Sequence, residues 1–345
     1  MKKHIILFVD SGLYGGIESH IVQLSKLLQD HQFDLKVLFY QEHNNVFLYN
    51  QLKRHNINYH VLNGKFFSLF SYLKNQTFPY ILHTHGYKAG ILGRLICKCI
   101  ARPCASTYHA GETGTGKVKV YNLLDKFTSF LSINFAVSDQ IARTISNATV
   151  LDNFVSPKEF NYISPSEKIK IGFVGRLSFE KGPDIFIQVA QQFINNDVFS
   201  FHIYGDGPMR RQLEENAPRN VNFHGHQDAK TIWLNIDVLM ISSRQEGLPL
   251  VLLEAINNCT AVISTQVGAV NKVIEHQLEG LICNDISSQS LSSTLTSWLQ
   301  LNDQQKLLLI KNAYNRVAQY FSGKQQLKLL INGYSKAIKN SGDSL

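Results

Sequence analysis

Short apolar runs recur along this chain at regular intervals, each followed by an amphipathic stretch, and the series starts over at residue 169. In the first half they fall near 4–10, 35–40, 58–63, 80–85, 104–109, 133–138 and 148–153. In the second they fall near 169–175, 199–204, 221–224, 236–242 and 261–264, with a shorter segment at 280–283. Apolar runs alternating with helical patterns imply strands that pair in parallel beneath covering helices. Two doubly wound parallel sheets are therefore expected, with residues 289–340 reading as helix.

The 345 residues exceed one ordinary core and suit two of roughly 150 residues each. The stretch Ser156 to Lys168, with Pro157, Pro165 and small polar residues, is the expected linker. This gives a first domain over 1–160 and a second over 166–321, with a terminal helix at 322–345 crossing back to brace the first. In open parallel sheets ligands sit outside the carboxyl ends of the strands, so two such domains facing across a cleft would offer two half-sites.

Met1-Lys2-Lys3 carries the charge of a signal peptide, but the apolar run that follows ends at Asp10, too soon for a signal peptide core. No stretch approaches the roughly 18 apolar residues of a membrane span. A cytoplasmic location is expected, at the inner face of the cell membrane if the basic surface described below meets lipid. The cysteines Cys97, Cys99, Cys104, Cys259 and Cys283 are odd in number, and the spacing of the first three fits no familiar zinc pattern. Reduced thiols and no metal are expected.

The net charge of +8 is uneven: residues 1–150 hold 16 Lys+Arg against 8 Asp+Glu, and residues 151–345 hold 18 of each. On the helix starting near Tyr87, the residues Lys88, Arg94, Lys98 and Arg102 fall within an arc of roughly 120°, together with Ile91 and Leu95. Such a face would suit an anionic membrane or a phosphorylated glycolipid; the alternative is a solvated helix face.

Two constellations carry chemistry in the second half. A strand ending Gly175-Arg176 is followed by Ser178-Phe179-Glu180-Lys181-Gly182-Pro183, where Gly182 caps and Pro183 opens a helix. Arg176 and Lys181 at one sheet edge suit a diphosphate, which gains negative charge as a sugar departs. The strand 236–242 then leads into Ser243-Arg244-Gln245-Glu246-Gly247-Leu248, with Pro249 expected at the first helical position of the helix carrying Glu254. There Glu246 can accept from sugar hydroxyls, free amides of Gly247, Leu248 and Leu250 can face a ligand, and Glu254, leaning back toward the helix start, can reach a ribose diol. Taken singly, each of these residues has an ordinary structural explanation, from a solvated cation to a satisfied buried carboxylate.

Taken in order, Gly175-Arg176, Lys181-Gly182, Glu246-Gly247-Leu248-Pro249 and Glu254-Ala255 resemble the signature of the retaining family-four glycosyltransferases of the GT-B fold. Tyr204-Gly205-Asp206-Gly207-Pro208 and Phe223-His224-Gly225 match the intervening loops. The resemblance implies an α/β protein of two Rossmann-like domains, the second binding a nucleotide sugar and the first an acceptor. It implies that Arg176 and Lys181 hold the donor diphosphate, that Glu246 contacts the transferring sugar and Glu254 the ribose, and that His224 and Gly225 lie near the base. It also implies roles for Gly15 and Gly16, in a glycine loop whose spacing is wrong for a dinucleotide fingerprint, and for His109 beside the reacting sugar. His83 and His85 are expected in structural or acceptor-side roles.

Two loops depart from the pattern. Where the family resembles G-G-x-P-E, this chain reads Gly268-Ala269-Val270-Asn271-Lys272, and Asp152-Asn153-Phe154-Val155 replaces a usual N-G-V. The absence of D-x-D argues against a metal-dependent transferase, leaving Arg176, Lys181 and helix amino ends to meet the diphosphate. The expected reaction is retaining transfer of a hexose-type sugar, from a UDP-sugar by preference, to a glycan or lipid-linked acceptor in cell-surface polysaccharide or lipopolysaccharide synthesis, by same-face displacement without a protein base or cofactor. The alternatives are a nucleotide-sugar epimerase or hydrolase on the same fold, and a non-catalytic basic module binding membrane or nucleic acid. The paired loops serve no such module, and no nucleic-acid partner is expected.

Overall fold

The computed structural model describes residues 4–10, 16–109, 116–164 and 168–341. Packing divides the chain into two units: residues 1–156 with 323–345, and residues 157–322.

The first unit runs β1 (His4–Val9), α1 (Gly16–Asp30), β2 (Asp34–Phe39), α2 (Val46–Arg54), β3 (Tyr59–Val61) and α3 (Phe66–Lys74). It continues β4 (Tyr80–His85), α4 (Tyr87–Cys99), β5 (Cys104–Tyr108), α5 (Gly116–Phe127), a 3-10 turn (Thr128–Leu131), β6 (Ile133–Ala136), α6 (Asp139–Ala142) and β7 (Ala148–Val150). The last helix of the chain, Lys324–Ser341, completes it. All pairings are parallel, in the order β3-β2-β1-β4-β5-β6-β7. On β1, Ile5, Leu7 and Val9 pack in one core with Ile21, Leu24, Leu330 and Tyr334, while Ile6 and Phe8 join another with Leu69, Leu82 and Ile96. This double burial explains the uninterrupted apolar run: a strand covered on both faces has no solvent side for polar residues.

The second unit runs β8 (Ile169–Val174), a 3-10 turn (Phe179–Lys181), α7 (Pro183–Gln192), β9 (Phe199–Tyr204), α8 (Arg210–Asn216), β10 (Val221–Gly225), α9 (Ala229–Trp233) and β11 (Val238–Ile241). Then come α10 (Leu250–Asn257), β12 (Ala261–Thr265), α11 (Val270–Val273), β13 (Leu281–Cys283), α12 (Ser288–Gln300) and α13 (Asp303–Tyr320), which makes the terminal helix α14. Its parallel sheet has the order β10-β9-β8-β11-β12-β13. In such sheets the strand order reverses between two neighbours, leaving a crevice at their carboxyl ends. That point lies between β1 and β4 in the first unit and between β8 and β11 in the second.

Two features of α4 and α10 differ from the sequence reading. Arg94 is completely buried, so α4 does not present the expected cationic face. Lys88 lies 2.8 Å from Asp10, and Arg102 lies over the Tyr80 ring, leaving Lys98 as the one exposed member of the four. The reason is close packing: a Cβ at Gly93 would come within 2.9 Å of Thr84 and Leu82 side-chain atoms, so this face of α4 lies against the sheet and takes Arg94 with it. Pro249 is the cap of α10 rather than its first helical residue. Among the described residues, no helix is long and apolar enough to cross a membrane.

Candidate functional site

The loops after β8 and β11 flank the crevice of the second unit. Gly182 sits at φ 64° as the cap of α7, with Pro183 in its first turn, and a Cβ there would meet the Ser242 carbonyl oxygen at 2.1 Å. The two loops are thus in backbone contact at Lys181-Gly182 and Ser242-Ser243, and a side chain at 182 would hold them apart. The Ser242 hydroxyl donates to the Gly182 carbonyl at 2.8 Å. Arg244 forks onto Asp184 at 2.8 and 2.6 Å and lies over the Phe179 ring, and the Arg244 amide donates to the Glu180 carbonyl at 2.8 Å.

This joint sets the functional side chains. Lys181 Nζ donates to both oxygens of Glu246 at 2.7 Å, and the Ser243 hydroxyl donates to Oε1 at 2.8 Å. Glu246 is only 6% exposed and Lys181 31%, so the carboxylate is the more enclosed partner. Residues 65 positions apart in sequence form one ion pair. By contrast Arg176, at the end of β8, is exposed and makes no ion pair among the described residues. Its guanidinium carries five donors, which can meet an anion.

Glu254, on the second turn of α10, has no hydrogen-bond partner for its carboxyl among the described residues. Burial pushes that carboxyl up to about 7, against the opposing pull of Lys158. A carboxyl left unpaired inside a fold needs donors, and a diol supplies two. Leu248 and Leu250 point their side chains into the core. The Gly247 carbonyl accepts from the Ala269 amide at 2.7 Å, so the loop that departs from the family pattern braces the Glu246-Gly247 turn by its backbone, which Ala269 serves as well as glycine.

Along the same sheet edge, Gly205 has φ 129° and a Cβ on it would meet the Gly175 carbonyl at 1.9 Å, while its amide donates to the Gly225 carbonyl at 2.8 Å. His224 stacks on Tyr204 with ring centroids 4.5 Å apart and shares a 2.9 Å hydrogen bond with His202. Burial holds both imidazoles below their ordinary range. They form a flat, uncharged platform at residues 202–225.

In the first unit, His109 follows β5 and its Nε2 lies 3.0 Å from His85 Nδ1 at the end of β4. His20 of α1 stands edge-on to His109, with its Nδ1 3.1 Å from Asn153 Oδ1. Because that oxygen only accepts, His20 Nδ1 carries the hydrogen and the buried Nε2 presents a lone pair with no partner among the described residues. Burial holds His20 at about 4 and His85 and His109 well below their usual range, so the three imidazoles are neutral at pH 7. Their ligand atoms all lie within 4.8 Å of one another, a spacing that can hold a sugar hydroxyl or a cation, with no carboxylate in the group to balance a dication. His83 is structural: it bonds Tyr334 of α14 at 2.8 Å and Thr107 at 2.7 Å. Gly16 opens α1, and Gly15 lies outside the described residues.

Sequence reasoning missed Ser243, Asp184 and Arg244, which orient Glu246 and its loop, and His20 and Asn153, which orient the histidine group. One signal for the first set was available, since the loops after two neighbouring strands of a doubly wound sheet must meet.

Residues 156–316 match the family described as Glycosyl transferases group 1. The chain is 25% identical over 292 residues to the UDP-Gal:alpha-D-GlcNAc-diphosphoundecaprenol alpha-1,3-galactosyltransferase of Escherichia coli, covering 74% of each chain. It is 27% identical over 326 residues to the phosphatidylinositol N-acetylglucosaminyltransferase gpi3 subunit of Schizosaccharomyces pombe, covering 83% of this chain and 71% of that one. Among solved structures, Anabaena Alr3699/HepE in complex with UDP-glucose superposes with a TM-score of 0.79 at 18% identity, over 95% of this chain and 99% of the other.

Proposed function

Given that residues 156–316 constitute a glycosyl transferases group 1 domain in a chain of the GT-B fold, we propose that this glycosyltransferase of glycan or glycolipid synthesis is a retaining, metal-independent enzyme using a UDP-sugar. The observation that carries this reading is the coupling of Lys181, Glu246 and Ser243 at the β8/β11 crevice, with Arg176 uncommitted beside it and an unpaired Glu254 on the adjoining helix. The donor diphosphate takes Arg176 and draws Lys181 from Glu246. Freed of its cation, Glu246 accepts from the hydroxyls of the sugar, which links diphosphate arrival to sugar recognition. Glu254 takes the ribose diol, and the platform at His224 and Gly225 takes the base. As the glycosidic bond to phosphate breaks, Arg176 and Lys181 meet the growing charge, and the departing phosphate receives the acceptor proton on the same face of the sugar. His109 with His20 and His85 offers neutral nitrogens to hydroxyls. The acceptor is a glycan or lipid-linked sugar; the name of the E. coli relative gives a GlcNAc-diphosphoundecaprenol, a sugar of the lipid-linked kind.

Thermal-shift titration with UDP-, GDP- and ADP-sugars tests the assignment. A ligand at a hundredfold over its dissociation constant adds roughly 2.7 kcal/mol, a rise of several degrees. The UDP-sugar is expected to give the largest shift, and no shift with any of the three would remove the reading.

Glu254 gives the donor a pH dependence. Its free carboxyl titrates at about 7, and the form that accepts two ribose hydroxyls is the carboxylate, so binding releases a proton below that pH. Affinity should therefore rise between pH 6 and 8 by about tenfold, following the ionised fraction. The measurement uses a UDP-sugar rather than UDP, whose terminal phosphate titrates in the same range. Calorimetry in buffers of differing ionisation enthalpy reads the proton directly. Flat affinity across this window, or an equal slope in Glu254→Gln, would dismiss the ribose role.

A further inference from the structure

The helix α5 is inside out. A surface helix ordinarily buries an apolar stripe and shows its polar side to water. Here Asp125, and Thr128 and Ser129 just beyond the helix, are buried, while Leu123, Phe127 and Phe130 are 69%, 72% and 70% exposed. Val120, Leu123, Leu124 and Phe127 fall within an arc of about 100° at about 100° per residue, and Asp125 lies on the opposite side. The buried Arg94 explains the inversion. Its guanidinium donates to Thr128 Oγ1, to the Asp125 carbonyl and to the Asp125 carboxylate, which turns the polar side inward and leaves the apolar side chains of Val120, Leu123, Leu124 and Phe127 exposed among the described residues.

The charge around this face selects what covers it. Lys119 and Lys126 are exposed along one edge of the arc. Between Glu112 and Asp139 the one acidic residue is Asp125, which is committed to Arg94. The outward face therefore carries apolar side chains and cations with no acid. A second copy of the face would set lysine against lysine; a surface with an apolar interior and an anionic skin matches both features.

We propose that the outward face of α5 and the following turn docks the first unit on an anionic lipid bilayer, with Leu123, Phe127 and Phe130 entering the acyl boundary and Lys119 and Lys126 resting on headgroup phosphates. The docking helix is α5, displaced from the α4 face that the sequence pattern suggested. The inference is separable from the donor assignment, because vesicle binding is measured with no nucleotide sugar present.

The test is sedimentation of the full chain with large vesicles of phosphatidylethanolamine and phosphatidylglycerol, against vesicles of phosphatidylcholine alone. Binding is expected on the anionic vesicles, weakened about tenfold or more in Leu123→Ser/Phe127→Ser. In Lys119→Glu/Lys126→Glu it should weaken mainly at low salt. All four positions are exposed, so circular dichroism melting should match the wild type. In Phe127→Trp, anionic vesicles should shift the added indole emission to the blue, and brominated acyl chains should quench it. Wild-type protein that stays in the supernatant, vesicle binding unchanged in the apolar double variant, or a self-associating chain whose dimer the same variant dissolves would each overturn the proposal.

Discussion

Arg176→Ala should lower turnover on the order of a hundredfold or more at saturating donor while leaving the melting temperature unchanged, because one preorganised charge donor is lost from the leaving group. The geometry makes this a clean substitution. Arg176 is exposed and has no ion pair to break among the described residues, whereas Lys181→Ala would strand the enclosed Glu246 carboxylate and confound chemistry with folding. The kinetic split separates two roles. If Arg176 grips the diphosphate equally before and during bond cleavage, KM rises alone; if it meets charge that develops in the transition state, kcat falls. The second outcome is expected, with Arg176→Lys between the two. Release of UDP is the readout, and near wild-type kcat in Arg176→Ala would remove it from the chemistry.

Arg94→Ala should destabilise the first unit by about 3–5 kcal/mol, the loss expected when one partner of a buried ion pair is removed. Nη1 reaches Ser106 at 3.0 Å and Tyr108 at 2.9 Å, and Nε reaches Thr128 at 3.2 Å, so β5, the turn at Thr128 and Asp125 of α5 lose a common tie. Burial already pushes the Asp125 carboxyl up in spite of Arg94, and removing the guanidinium leaves that desolvation opposed by Lys126. The melting temperature should fall by about 10 °C or more. Arg94→Met with Asp125→Leu should cost less than Arg94→Ala, since no charge is left behind. Urea unfolding of the wild type and the two variants reads this directly, and a loss below about 1 kcal/mol in the single variant would show that the network does not hold α5.

The sheets were legible because a strand buried on both faces leaves a continuous apolar run, and every run that the sequence showed is a strand of one of two parallel sheets. The order of the donor-side motifs was legible for a related reason: loops at the carboxyl ends of such strands share one edge. What periodicity could not show was which side of α4 meets the sheet. Lys88, Arg94, Lys98 and Arg102 share an arc whether that arc faces water or core, and the deciding signal was the glycine pair Gly90 and Gly93 on the buried side. A Cβ at Gly90 would meet Asp125 Oδ1 at 2.6 Å, so the glycine makes room for the ion pair that buries Arg94. Nor could spacing show that Lys181 rests on Glu246, because that pair depends on the approach of two loops at Gly182.

The fourteenth helix changes what can be exchanged between proteins of this kind. Because α14 packs with the first unit, Tyr334 bonding His83 and Gly323 lying against Leu27 and Phe154, the second unit is an internal cassette bounded at 156/157 and 322/323. A chimera made with one crossover would inherit a mismatched α14 in the core of its first unit. A donor cassette moves intact only when both seams are cut.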